Sequence, residues 1–247
     1  DLGWFMLAQL RAFEVTKDRF WLDDAKKLHA RIREDLDDTY GGGVWWKRDG
    51  TRFKNVPINA PFVIGSMKLF RHTGDERYRK DALDVYAWME RTLWTSPQVH
   101  DGIDDSGIQR AAYTYNHGTF ICASLAVYDE TRDESKLANA IAAADWAIAN
   151  LAPGGIMKDE GAGDGAGFKM IMTRYLVDLA VRPGGEKYQE FLDRNAAAAW
   201  SNRRQKDSIM GYDWSKPAPA GGIQSFTAAS GVDIILQSLL ARKRRGH

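Results

Sequence analysis

Adjacent pairs of aspartates are the residues of this sequence best suited to acid–base chemistry. They occur at Asp23-Asp24, Asp37-Asp38 and Asp104-Asp105. Two carboxyl groups can cleave a glycosidic bond, because one protonates the leaving oxygen while the other attacks the sugar or activates water. The first pair falls within a helical pattern and the second near a helix end, which indicates solvated surface for both. The third lies in a predicted loop and remains a second choice.

The predicted loops combine carboxylates, amides and aromatic rings, a set of side chains that binds neutral sugars. Sugar hydroxyls pair with amide and carboxylate groups, and the C–H faces of sugar rings stack on Trp and Tyr. Taken singly, Asn55, Asn59 and Asn116 are also explained as helix caps. Their recurrence beside aromatic residues in successive loops favours a shared cleft. The candidate substrate-binding residues are Trp45, Trp46, Lys54, Asn55, Asn59, Asp101, Tyr115, Asn116, His117, Asp164, Lys169, Asp213 and Trp214.

Other common chemistries lack their motifs. The five histidines form no HExxH or related pair, and a single cysteine, Cys122, excludes an intrachain disulfide. The glycine-rich run Gly161–Gly167 lacks the preceding strand of a dinucleotide site, so we expect a flexible loop there. Thirty-four basic and 33 acidic residues leave a net charge of +1, which argues against a nucleic-acid partner. No apolar run approaches the ~20 residues of a membrane span. We therefore expect no metal, no cofactor, no nucleic acid and no membrane span.

A short Thr-x-Asp motif recurs at a fixed spacing and indicates how the helices are joined. It begins at Thr16, Thr73 and Thr131, and an alanine follows each Thr nine residues later. A fainter fourth copy runs from Pro183 to Ala196. Apolar residues recur with helical spacing around the motif, so each copy predicts a corner where Thr ends one helix and Asp caps the next. The chain is therefore built from units of roughly 57 residues.

The hydrophobic pattern predicts nine helices. They cover residues 2–14, 20–36, 58–72, 76–93, 114–129, 134–150, 167–181, 185–202 and 223–242. Helical hairpins of this length bury their apolar faces by stacking, either in an open solenoid or in a closed ring. The connections between units are rich in glycine and aromatic residues, as expected of binding loops gathered at one mouth, and this favours the ring.

Nine short segments form a specific pattern through their order and spacing. They are Gly41–Trp46, Phe53–Asn59, His100–Gly102, Tyr113–Gly118, Gly163–Gly165, Phe168-Lys169, Arg174–Leu176, Ala199–Arg203 and Tyr212–Trp214. The pattern resembles glycoside hydrolase family 76, the endo-α-1,6-mannanases and related transglycosidases, especially the bacterial branch. The resemblance covers essentially the whole chain.

This resemblance implies an all-α fold, the (α/α)6 toroid of helical hairpins, with about nine of its twelve helices present. Residues 1–247 would form a single catalytic domain that is incomplete at its N-terminus. The family's catalytic signature resembles an Asp pair that opens a helix, and Asp1–Ala8 matches it from the second Asp onward. The first Asp, the nucleophile, would precede residue 1, and Asp1 would be the general acid/base of a retaining mechanism. Capping of the helix is the alternative role for Asp1.

The resemblance also implies the partner, which is an oligo- or polysaccharide of the α-1,6-mannan type. It implies no cofactor or metal, and we expect a monomer. It favours a secreted or cell-envelope location, and a cytoplasmic location is the alternative that stays open. Two alternatives stay open: a glycan-binding helical toroid without turnover, and a mannan transglycosidase in which an acceptor sugar replaces water. A scaffold for protein partners would instead predict a broad apolar concave surface.

Overall fold

A computed structural model describes residues 1–246 and contains nine α-helices within them. Each predicted helix is present, with ends within three residues of those expected, and the all-α fold class is confirmed. No helix in the described range is both long and apolar enough to cross a bilayer. The helices are α1 (Leu2–Thr16), α2 (Arg19–Arg33), α3 (Val56–Thr73), α4 (Glu76–Thr92), α5 (Thr114–Thr131), α6 (Glu134–Leu151), α7 (Gly165–Ala180), α8 (Glu186–Ser201) and α9 (Ser225–Arg245).

The chain divides into two compact units. Unit 1 consists of Asp1–Ala112 and Cys122–Ala140, and unit 2 of Tyr113–Ile121 and the residues from Ile141 onward. In unit 1, α1 packs against α2 and α3 against α4; in unit 2, α9 packs against both α7 and α8. The expectation of one domain over residues 1–247 stays a prediction.

The three Thr-x-Asp corners have the same geometry, as the repeat predicts. Each Thr hydroxyl donates to the carbonyl four residues earlier, at 2.7–2.9 Å. Each Asp carboxylate accepts the amide two residues later, at 2.9–3.0 Å, and so caps the next helix. The middle residue has a positive φ of 61°, 72° or 59° and ends the preceding helix in the left-handed conformation. Gly74 takes this position without strain in the second corner.

Helices α1 and α3 of unit 1 run parallel, which places their first turns at the same end. Near their starts, a Cβ on Gly3 would lie 3.1 Å from Pro61 Cβ. Near their ends, the rings of Phe13 and His72 are 5.0 Å apart. Asp1 before α1 and the segment before α3 therefore belong to one end of unit 1.

The long connections precede the odd-numbered helices. Residues 34–55 lead into α3, 93–113 into α5, 152–164 into α7 and 202–224 into α9. They contain five strands of two or three residues: β1 (Phe53–Asn55), β2 (Trp94–Thr95), β3 (Gln98–Val99), β4 (Gly102–Asp104) and β5 (Gly107–Gln109). Strand β4 pairs antiparallel with β1 and β5, and Asn55 lies opposite Gly102. This small sheet fixes the start of α3 against the loop that precedes α5.

The prediction of a flexible loop over Gly161–Gly167 is wrong for the second half of this segment. Helix α7 already begins at Gly165, so Gly165 and Gly167 belong to its first turn. A Cβ on Gly165 would lie 2.2 Å from the Glu160 carbonyl, and one on Gly167 would lie 2.1 Å from the Phe226 ring. These two glycines therefore serve close packing, a role that composition alone does not distinguish from a loop.

Burial of His29 makes stability depend on pH. Its side chain is 4% exposed and stacks on Phe62, and Nε2 lies 2.9 Å from Ser66 Oγ. Burial, assisted by Arg33 and Arg77, lowers the pKa of His29 to about 4, whereas an unfolded histidine titrates near ~6.5. The unfolded state binds the proton first, so the free energy of unfolding should fall by up to about 3 kcal/mol as pH drops from 6.5 towards 4.

Urea unfolding from pH 7 to pH 4 tests this dependence. His29→Gln should lose the part of the pH slope that His29 contributes, because glutamine takes up no proton. The control is His72→Gln, which changes a more exposed histidine and should retain the slope. An unchanged slope in His29→Gln would refute the role of this residue.

Candidate functional site

Asp1 occupies the N-cap position of α1 without capping the helix through its side chain. The carboxylate makes no capping hydrogen bond, and the first helical turn closes through the Asp1 carbonyl, which accepts the Phe5 amide at 3.0 Å. The residue is exposed. The capping interaction that would have explained Asp1 structurally is therefore absent.

Lys54 and Asn59 hold the loop before α3 from the inside. Lys54 is completely buried, and Nζ donates to Asp37 Oδ1 at 2.6 Å and to the carbonyls of Asp37, Thr39 and Gly42 at 2.8–3.0 Å. Three N–H groups thus face four acceptors, and none is left for a sugar. The Asn59 amide bonds the Val44 amide and carbonyl and the Asn55 carbonyl. The structure places both residues behind the loop surface.

Trp45 and Trp46 follow each other but differ in accessibility. Trp45 is half-buried, and its Nε1 donates to Asp37 Oδ2 at 2.8 Å. Trp46 is 42% exposed, and its ring stands edge-on to Phe53 with centroids 5.9 Å apart. Lys47 Nζ lies 3.9 Å from the centroid of the Trp46 ring. The exposed part of the Trp46 ring has the character needed to stack on a sugar.

Asn55 and Asp101 lie where β1 meets α3. Asn55 is at the N-cap of α3 but makes no capping hydrogen bond, and its buried Oδ1 has no partner among the described residues. A buried acceptor without a partner is costly, so this oxygen is suited to accept a hydrogen bond from water or a ligand. Asp101 is half-buried, and its backbone bonds Val56 N and Gln109 O. Capping is thus absent at Asn55.

Both carboxylates of the second-choice catalytic pair, Asp104-Asp105, form hydrogen bonds with other residues. Asp104 Oδ1 accepts from the Ser106 amide at 2.8 Å and from its hydroxyl at 2.6 Å, and these bonds lower the pKa of Asp104. Asp105 accepts from the Tyr40 hydroxyl and Arg52, which lower its pKa as well. A general acid needs a raised pKa, so the environment of this pair opposes such a role.

In unit 2, Lys169 is the counterpart of Lys54. It is 3% exposed; Nζ donates to the Tyr212 carbonyl and lies 4.3 Å from the centroid of the buried Trp214 ring. Burial lowers the pKa of Lys169 to about 8, and Asp159, Glu160 and Asp213 oppose that shift. Asp213 bonds the amide and hydroxyl of Ser215 and pairs with Lys216; these contacts lower its pKa to about 2.

The first turn of α5 places Tyr115, Asn116 and His117 in unit 2. Tyr115 is half-buried and stacks on Phe168 with centroids 3.8 Å apart. His117 stacks on Trp146 at 4.8 Å, and its Nδ1 lies 3.0 Å from the Tyr113 carbonyl. Asn116 and His117 are buried, so Tyr115 is the most accessible of the three. Asp164 is exposed before α7 and makes no capping hydrogen bond.

The contacts of two carboxylates at these sites escaped the sequence analysis. Asp37 is exposed, as the sequence predicts, but its carboxylate also bonds Lys54 and Trp45. Its pKa falls to about 2 because these bonds and that of Thr39 outweigh the opposing effect of burial. Glu160 accepts from the amide and hydroxyl of Thr114 at the start of α5, and burial raises its pKa. Glu160 lies in a charged run that resembles solvated surface, and nothing in the sequence marks its partner.

Within residues 1–246, no group of three or more His, Cys, Asp or Glu side chains is placed to hold a metal ion. Two hollows of unit 1 have linings that do not include Asp1. One, of about 430 Å³, is lined by the 36–43 loop and α4, and the other, of about 410 Å³, by α2 and α4.

Comparison with known proteins gives consistent matches. The family model described as glycosyl hydrolase family 76 matches residues 1–246. The structure of the GH76A α-1,6-mannanase from Salegentibacter sp. HEL1_6 matches with a TM-score of 0.92 and 32% identity, over 97% of this chain and 75% of that chain. The Lin0763 protein from Listeria innocua matches with a TM-score of 0.91 and 30% identity, over 99% of this chain and 72% of that one.

Further structures and sequences carry information about ligands and activity. Inactive variants of the Salegentibacter enzyme, in which two adjacent aspartates are replaced, are in complex with α-1,6-mannotriose or α-1,6-mannotetrose. A mannan endo-1,6-α-mannosidase, DCW1 of Eremothecium gossypii, is 31% identical over 117 residues, which are 42% of this chain and 26% of that protein. The alignment thus spans about a quarter of that relative.

Proposed function

The chain belongs to glycosyl hydrolase family 76, and from this membership we propose that it is a glycosidase that cleaves α-1,6-linked mannan with retention of configuration. The observation that carries the proposal is the match, over 97% of the chain, to an α-1,6-mannanase. Variants of that enzyme are inactivated at two adjacent aspartates and bind α-1,6-linked mannooligosaccharides. The aspartate pair in that enzyme supports a catalytic role for Asp1.

In the proposed mechanism, Asp1 acts first as an acid and then as a base. The nucleophile, the Asp that the family signature places directly before Asp1, attacks the anomeric carbon of mannose while Asp1 protonates the leaving oxygen. Asp1 then takes a proton from water as the water oxygen attacks the anomeric carbon, which breaks the bond between the sugar and the nucleophile and releases the product. The negative charge of the neighbouring carboxylate disfavours ionisation of Asp1 and keeps it protonated for the first step.

The substrate-binding residues differ in what they offer a glycan. In unit 1, the exposed ring of Trp46 provides a stacking face, and the unpartnered Oδ1 of Asn55 provides an acceptor for a hydroxyl. In unit 2, Asp164 is exposed and Tyr115 and Asp213 are half-buried, whereas the other members of the predicted set are buried. Lys54, Asn59 and Lys169 are buried and support the loops from behind.

Incubation with linear α-1,6-mannan tests the proposed activity, with α-1,4-glucan as a control polymer. The polypeptide that is assayed should carry an aspartate directly before Asp1, so that the pair of the family signature is complete. We expect short α-1,6-mannooligosaccharides from the mannan and none from the glucan. When α-1,6-mannooligosaccharides are the substrate instead, products longer than that substrate would identify a transglycosidase. Binding of mannan without any product would identify a glycan-binding protein.

A further inference from the structure

The loop between α2 and α3 of unit 1 is built around a buried positive charge. Four consecutive residues, Tyr40, Gly41, Gly42 and Gly43, have positive φ values of 56°, 80°, 134° and 83°. Glycine adopts this region freely, whereas Tyr40 does so at some energetic cost. The loop carbonyls of residues 37, 39 and 42 converge on Lys54 Nζ at 2.8–3.0 Å. Without a cation, the converging dipoles of these carbonyls would repel one another.

The same ammonium group lies beside the Trp45 ring and pairs with the carboxylate that Trp45 bonds. Lys54 Nζ lies 2.6 Å from Asp37 Oδ1, and the other carboxylate oxygen of Asp37 accepts the Trp45 indole N–H at 2.8 Å. Nζ also lies 4.6 Å from the centroid of the Trp45 ring, within the range of a cation–π contact. Tyr40, in the same loop, packs edge-on against Trp45 with centroids 5.7 Å apart. The indole is thus held at its nitrogen, its face and its edge.

From this geometry we propose that Lys54 is a positioning residue that holds the loop from Asp37 to Trp46 in the conformation that presents Trp45 and Trp46 to the glycan. The part that concerns the glycan rests on the proposed function. Lys54 itself makes no contact with substrate, because its three N–H groups are already shared among four protein acceptors. Lys169 beside Trp214 repeats the pairing of a buried ammonium with an indole in unit 2.

Three variants test the proposal. Lys54→Met removes the charge and keeps the length of the side chain, and Lys54→Ala leaves space for an added amine. Lys27→Met, at an exposed lysine of α2, is the control. The rate of limited trypsin cleavage after Lys47 reports how often the loop opens. The values of kcat and KM on α-1,6-mannan report the effect on catalysis and on glycan binding.

We expect Lys54→Met to be cleaved at the loop about tenfold faster than the wild type, since local opening exposes the chain to protease. KM should rise by about tenfold, the equivalent of ~1.4 kcal/mol of binding, with a much smaller change in kcat. In Lys54→Ala, n-propylammonium should restore both loop protection and KM, whereas tetramethylammonium should not, because it has no N–H donors. Lys27→Met should behave as the wild type.

Several outcomes would overturn the proposal. If trypsin cleaves the loop of Lys54→Met at the wild-type rate, Lys54 does not anchor the loop. If cleavage is faster but KM is unchanged, the loop conformation does not affect glycan binding. If Lys54→Met does not fold, the cleavage rate of Lys54→Ala with and without n-propylammonium tests the anchoring role. If the amine does not slow cleavage of the loop, Lys54 does not anchor it. Absence of mannan cleavage by the wild type would overturn the proposed function, while loop protection and its rescue would still decide the role of Lys54.

Discussion

Replacing Asp1 by Asn is expected to lower kcat for α-1,6-mannan by roughly 10²- to 10⁴-fold, the usual contribution of a general acid–base group. Asparagine keeps the shape of the side chain but cannot donate a proton to the leaving oxygen. The Asp1 carboxylate makes no capping hydrogen bond in α1, so the substitution should leave the melting temperature nearly unchanged. The loss should therefore be one of chemistry, with a smaller change in KM.

The dependence on the leaving group sharpens this prediction. An aryl α-mannoside with an acidic phenol as leaving group needs little protonation, so Asp1→Asn should form the glycosyl-enzyme from it almost as fast as the wild type. The matched control is Asp23→Asn, at an exposed aspartate of α2 that pairs with Lys26, and it should keep wild-type activity. Wild-type kcat on mannan in Asp1→Asn would contradict the role of Asp1 as the acid.

The second large effect is expected for Gly118→Ala, which should reduce the free energy of unfolding by about 3 kcal/mol, at the upper end for overpacked cores. A Cβ on Gly118 would lie 2.5 Å from Met172 Cα and 2.9 Å from Met172 N. These are backbone atoms, so α5 and α7 would have to separate within unit 2. Because Gly118 follows Asn116 and His117 directly, the same displacement would move the first turn of α5.

Two further glycines provide matched controls for urea unfolding. In Gly65→Ala, the new Cβ would meet the flexible end of Met6, with Met6 Cε at 2.2 Å, so a rotamer change relieves part of the clash and the loss should be smaller. Gly222 has no neighbouring atom within 4 Å, and Gly222→Ala should be neutral or slightly stabilising. Equal urea midpoints of unfolding for Gly118→Ala and Gly222→Ala would refute the close contact between α5 and α7.

The helices and their corners were predictable from the sequence because they depend on local chemistry. A Thr hydroxyl bonds a carbonyl in the preceding turn and an Asp carboxylate bonds an amide two residues on, so the corner at Thr73 and Asp75 is encoded within a few residues. The apolar positions then repeat with helical spacing. Nine helices with ends within three residues of expectation follow from these local signals.

The site was less predictable because its contacts join residues far apart in the sequence. The sequence identified Lys54 as a polar loop residue but could not show that Asp37, Thr39 and Gly42 enclose its ammonium group. Glu160 and Thr114 are 46 residues apart, and neither carries a mark of their pairing. Residues that were expected to touch a sugar therefore include several that the structure uses to hold the loops.

The most direct test of the central claim is proton NMR of linear α-1,6-mannan during cleavage by a polypeptide that carries an aspartate directly before Asp1. A retaining mechanism first releases products as the α-anomer, which then mutarotates to the equilibrium mixture, and this is the result we predict. Products that appear first as the β-anomer would contradict the double-displacement mechanism and the role given to Asp1. Absence of any product would contradict the assignment of this chain as an α-1,6-mannan glycosidase.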